Sequence, residues 1–172
     1  MKYYQVLFCD KYCSGVASTS QNQQLFTLPY VGAVEFWVPI VLELREGDFS
    51  DYLSSTLGCR LCSPRLRNIL DEYRSVDDEI QWLPVTVRKG EMACVYAVLH
   101  FPHPPDVLNK DKSIFAGEFV VKPVLSRTAV ENHHVFAYPK AGEAKLFISG
   151  QVKMAIESAG CTGMELSCAA IH

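Results

Sequence analysis

Two cysteines, Cys59 and Cys62, stand two residues apart at the mouth of a helix-like run, "GCRLCSPRLRNILDEY". Thiols at that spacing can form half of a tetrahedral zinc site, act as a redox pair, or serve as small apolar residues. A structural zinc site needs four ligands, and a second knuckle is its recognisable form. Here the completing groups would be Cys9 with Cys13, His100 with His103, or His133 with His134, and none has that form. The redox reading has a physical basis in Cys62, because a helix N-terminus stabilises a nearby thiolate. No thioredoxin-like βαβ start precedes it, however. The pattern predicts neither metal nor redox chemistry, and no cofactor.

Other catalytic templates are missing from the sequence: there is no G-x-S-x-G, no phosphate-cradling glycine loop and no H-E-x-x-H. Cys94 and His100 would make a nucleophile and base only if the strand they share did not bury the thiol. His133 and His134 point to opposite faces if they begin a strand, so they do not share one metal. The acidic run Asp77, Asp78 and Glu79, with Asp71 and Glu72 nearby at the helix end, reads first as solvated loop. Its sharper reading is a partner-binding patch that steers or occludes a basic site. Trp37 and Trp82 sit in strand-like contexts and read as core.

These groups need elements to position them. "YYQVLFC" reads as a strand, and "SGVASTSQNQQ" (Ser14 to Gln24) as a polar loop. "AVEFWVPIVLEL" is strand-like, but Pro39 puts it at an edge or breaks it. Ser63 can cap a helix with Pro64 at its first position, and Leu66, Ile69, Leu70 and Tyr73 share one face. Arg65, Asp71 and Glu72 then face solvent. "IQWLPVTV" and "ACVYAVLHF" predict a hairpin about the turn-like "RKGEM". "PHPPDVLNKDKS" is a connection expected to run over the surface, and "GEFVVKPVL" and "HVFAYP" are further strand candidates. Ser149 can cap a second helix whose Val152, Ala155, Ile156 and Ala159 lie together, with Gly160 as its left-handed end. "MELSCAAI" alternates Met164, Leu166 and Cys168 on one side, as a half-buried strand would.

Strands and two helices without βαβ repetition predict an α+β fold: a single domain over 1–172, with a mainly antiparallel sheet packed by a few helices. An apolar fraction of 49% against 20% charged residues is that of a globular chain. The net charge of −3, with no basic stripe, argues against nucleic acid as a partner. "MKYYQVLFCD" does not read as a signal peptide, and the longest apolar run, "FWVPIVL", is far short of a membrane span. Seven cysteines at irregular spacings point to thiols in a reducing cytosol.

Three segments, in order, resemble a bacterial immunity-protein family of the polymorphic-toxin systems, the eleventh immunity class. They are "CSPRLRNILDEY…DDEIQWLPVTV", "YAVLHFPHPPDVLNKDKSIF" and "KLFISGQVKMAIESAGCTGMEL". The resemblance covers about 58–166 and includes Gly160 and Gly163. Asn109 stands where the family pattern favours Asp, and His100 where it often has Asn. The resemblance implies a cytoplasmic inhibitor rather than an enzyme, one that binds a cognate toxin domain in a stoichiometric complex and protects the producing cell and its kin. Two other readings remain open: a small metal- or thiol-dependent enzyme using Cys59 and Cys62, and a structural part of a larger assembly.

Overall fold

The computed structural model describes residues 1–9, 15–19, 28–138 and 145–172. Five strands come first: β1 (Tyr3–Phe8), β2 (Val16–Ser18), β3 (Ile40–Leu44), β4 (Tyr52–Ser55) and β5 (Leu61–Cys62). The helix α1 (Pro64–Tyr73) follows them. After it come β6 (Gln81–Lys89), β7 (Met92–His100), β8 (Ile114–Ala116), β9 (Phe119–Lys122), β10 (Val124–Leu125) and β11 (Val135–Phe136). β12 (Phe147–Ser149) runs directly into α2 (Gly150–Ser158), and β13 (Met164–Cys168) and β14 (Ala170–Ile171) come last.

Two helices and mainly antiparallel strands make this an α+β fold, as the patterning predicts. Among the described residues only the β2–β4, β3–β6 and β10–β14 pairings are parallel. The sheet is not a single one, however. β2, β3, β6, β7, β5 and β4 close into a small barrel, while β11, β12, β1 and β13 form a separate four-stranded sheet. The barrel is filled by strict alternation: on β6, Leu83, Val85 and Val87 are buried, while Pro84 and Arg88 are exposed. Across the tight turn Gly90–Glu91, β7 supplies Tyr96 and Val98 to the same interior.

Both helices lie where barrel and sheet meet. Leu66 and Leu70 of α1 and Val152 and Ile156 of α2 share a core with Val6, Val135 and Ile148 of the sheet and with Tyr52, Cys62 and Leu99 of the barrel strands. The sheet's other face buries Tyr3, Phe136 and Phe147 against Val107, Leu125 and Val130. Where it is covered on both sides, β11 and β12 are buried at every position, whereas the edge strand β13 alternates.

Most local expectations agree with the structure. Ser63 and Ser149 cap α1 and α2, their hydroxyls accepting from the Leu66 and Val152 N–H groups, and Gly160 follows α2 at φ 63°. β3 begins immediately after Pro39, as a chain break by proline requires. Three details differ. Val16–Ser18, expected in a loop, pairs with β3 and β4, while 14 and 20–24 lie outside the described residues. The proline-rich connection is not wholly superficial, because Val107 is fully buried. Cys168 is exposed although Met164 and Leu166 pack inward; it is the last residue of β13, which lies at the sheet's edge.

Candidate functional site

The acidic segment follows α1. That helix ends as the Arg74 N–H reaches the Leu70 carbonyl, and the chain then folds back through 75–78. The Asp78 N–H donates to Ser75 O at 3.1 Å, and the Ser75 N–H returns the bond to Asp78 Oδ2 at 2.9 Å. This side-chain-closed turn is what Asp offers where a helix must stop. Asp78 does not stop there. Its Oδ2 also accepts from the His134 and Val135 N–H groups at 2.8 and 2.9 Å, and its Oδ1 lies 2.7 Å from His133 Nδ1. A carboxylate can only accept, so Nδ1 carries the proton.

Asp78 is therefore no part of an acidic surface, contrary to the charge-run expectation. It is 3% exposed and fastens the turn to the start of β11. A buried carboxylate is tolerated when its lone pairs are filled, and here three backbone donors and one imidazole fill them. Asp71 is also largely spoken for. It accepts from Trp82 Nε1 at 2.9 Å and sits within 3.6 Å of both Arg67 and Arg74.

Glu72, Asp77 and Glu79 remain outward, Glu79 with His103 at 2.7 Å. Between Asp77 and Ser75 stands Val76, 99% exposed. The turn borders an open depression lined by Asp71, Arg74, Ser75, Val76, Asp77, Asp78 and Glu79. The structure thus gathers the five acidic residues at one place but splits them: three carboxylates outward, one compensated, one buried.

The cysteine pair is divided between two interiors. Leu61 and Cys59 face the barrel, whereas Cys62 faces the helix core and is fully buried. Burial pushes the Cys62 thiol well up from its usual range, outweighing the nearby Arg60 and the helix end that Cys62 precedes. The histidines are separately engaged as well. His100 Nε2 donates to Gly32 O at 2.8 Å, His133 holds Asp78, and His134 Nδ1 lies 3.0 Å from Ser149 Oγ. Cys94 and His100 are six residues apart on one strand, about 20 Å of extended chain. Among the described residues no three His, Cys, Asp or Glu side chains are grouped to hold a metal ion; Cys13 lies outside them.

One polar centre escaped the sequence reading. Asp51, 6% exposed, accepts from Ser63 Oγ at 2.6 Å, from Arg65 Nη2 and Nε at 2.6 and 3.1 Å, and from the Thr162 N–H at 2.8 Å. Burial alone would raise its carboxyl. The hydrogen bonds from Arg65, Ser63 and Thr162 together outweigh burial and hold it at about 2. Asp51 thereby ties the start of α1 to the loop after α2. Arg65, expected to point to solvent, is half-exposed but fixed at its tip. The sequence offers no signal for this, since the partners are 12 to 111 residues away.

No protein-family model matches the chain, and no curated protein matches it significantly. The immunity-protein resemblance stands on the three quoted segments. No helix among the described residues is long and apolar enough to cross a membrane.

Proposed function

We propose that this protein is a cytoplasmic immunity protein that binds a cognate toxin domain and blocks it in a stoichiometric complex, without catalysis of its own. The observation that carries this reading is the turn at 74–79. It presents a fully exposed Val76 flanked by Asp77 and Glu79 on a backbone fastened from behind by the buried Asp78 carboxylate. An apolar tip within outward carboxylates suits a partner with a basic, partly apolar cleft, and a pre-fixed loop loses little entropy on docking. The order of the three resembling segments supports the same class. Cys59 and Cys62, on which an enzymatic reading would rest, are committed to two separate interiors.

The test is recovery of the tagged protein from its native cell, with co-purifying chains identified by mass. The expected result is one stoichiometric partner with a secretion-type N-terminal region and a compact C-terminal domain. That domain arrests growth when expressed alone and is harmless when co-expressed with this protein. A domain whose toxicity is unchanged by co-expression overturns the reading. Reversing Glu72, Asp77 and Glu79 to Lys is expected to slow association at least tenfold at low salt, with the effect fading at high salt. Asp78 must be left in place, since its reversal would unfasten the turn.

A further inference from the structure

The outer wall of the barrel carries an apolar strip that no described residue covers. Register pairs Val41 with Thr86 and Thr86 with Val95, so these three form one row across β3, β6 and β7. Their chain neighbours Leu42, Val85, Val87 and Tyr96 are buried inside the barrel, so the row faces out. Val95 is 64% exposed. One step along β6 the same face shows Pro84, and beside it the ribbon entering β3 carries Phe36 and Val38, 90% and 80% exposed.

That ribbon is no loose end. The Gln81 side-chain amide bonds both the N–H and the carbonyl of Val34, at 2.8 and 2.9 Å, and Trp37 Nε1 donates to Pro84 O at 2.8 Å. Gln81 and Trp37 replace the ladder that Pro84, with no N–H, cannot complete. Large apolar groups are thus held rigidly in water. A second row on the same face runs Glu43, Arg88, Ala93. Glu43 and Arg88 are lateral neighbours of opposite charge, yet among the described residues neither forms an ion pair.

We propose that this strip is the interface of a symmetric dimer, its occupant being a second copy of this chain. The face is complementary to itself. A two-fold axis parallel to the strands, between β3 and β6, sets Glu43 of each copy against Arg88 of the other. It also packs Val95 of each copy beside Val41 of the other. A specific interface buries about 800 Å² per partner. Phe36 alone can contribute roughly 150–250 Å² to such an area, and Val38 and Val95 beside it are largely exposed. None of it uses the acidic turn, so the inference stands apart from the toxin-binding reading.

Sedimentation of the full chain from about 1 μM to about 100 μM spans the range in which a modest homodimer dissociates. The expected result is a concentration-dependent dimer. Val95→Lys, Glu43→Arg and Arg88→Glu should each weaken it by about tenfold or more, a change equivalent to about 1.4 kcal/mol. All three positions lie on the outer wall, and unchanged circular dichroism checks the fold. The decisive variant is Glu43→Arg with Arg88→Glu, which restores both cross-pairs and should recover most of the lost affinity. A monomer at every concentration overturns the proposal and leaves the strip to a different protein. A dimer indifferent to Val95→Lys, or a double variant no better than either single one, overturns it too.

Discussion

Asp51 and Asp78 show how little a residue's type says about its work. Both are buried carboxylates with four or more donors, but Asp51 has a guanidinium among them and Asp78 an imidazole. The charge run around Asp78 was legible as charge; that Asp78 turns inward was not. Besides the local bond from Ser75, its partners are His133, His134 and Val135, more than fifty residues along the chain. The same limit applies to Cys62, where the local argument from the helix end points one way and burial, a tertiary effect, points the other and wins. Asp51 gives a direct pH test. Its carboxyl lies at about 2 in the fold against an ordinary 3.8, a lowered value. The associated stability is therefore full above about pH 4 and is lost as pH falls towards 2. That difference is worth on the order of 2 kcal/mol. Chemical denaturation repeated at pH 6, 4, 3 and 2 (set points rounded to about one unit) should show the wild type losing this increment and Asp51→Asn losing less. Equal losses in the two proteins would mean that Asp51 is not held low.

At the scale of elements, the helices were the most readable parts of the sequence. Both have a serine cap and an apolar face at helical spacing, which are local signals. The β6–β7 hairpin was readable for the same reason, its strands being long and its turn short. The barrel was not, because closing it requires parallel pairings of β2 with β4 and β3 with β6, and a two-residue β5 wedged between β4 and β7. Of these pairings only β4 with β5 is set by a turn, closed by the Gly58 N–H on the Ser55 carbonyl; the others join strands distant in sequence. The caps are not equivalent either. Ser63 Oγ accepts from the Leu66 N–H at 3.2 Å and donates to Asp51 at 2.6 Å, so it caps α1 and fills the Asp51 site together. Ser63→Ala should thus cost about 2 kcal/mol, the upper end for a cap. With Asp51→Asn in a double-mutant cycle the coupling should fall at roughly 0.5–3 kcal/mol. Urea unfolding of the four proteins measures it, and simple additivity would show the cap and the carboxylate acting separately.

At the scale of the whole molecule, the barrel and the four-stranded sheet must be joined strongly enough to unfold together. Beyond the core that they share, one contact between them is specific. Tyr52 of β4 donates its N–H to Thr162 O at 3.1 Å, and its ring stacks on Phe8 of β1 at 4.6 Å between centroids. Gly163 makes this approach possible. It has φ 88°, and a Cβ built there would lie 2.3 Å from Tyr52 O and 2.5 Å from Ser50 Oγ. Backbone cannot give way as a flexible side chain can, so Gly163→Ala adds left-handed strain of about 1–3 kcal/mol to a steric overlap. Gly163 is one of the glycines that carried the resemblance, which gives that position a physical reason: it is where the last loop presses against the barrel. Unfolding followed by tryptophan fluorescence reports Trp37 and Trp82, both packed against buried clusters, and far-ultraviolet circular dichroism reports all strands together. In the wild type the two curves should coincide. In Gly163→Ala both midpoints should fall together, by an amount equivalent to at least ~2 kcal/mol. Separation of the two curves in the variant alone would show that this joint is what makes barrel and sheet one cooperative unit. Separation already in the wild type would show two units that fold independently, with the Asp51 and Tyr52 contacts holding them only in register.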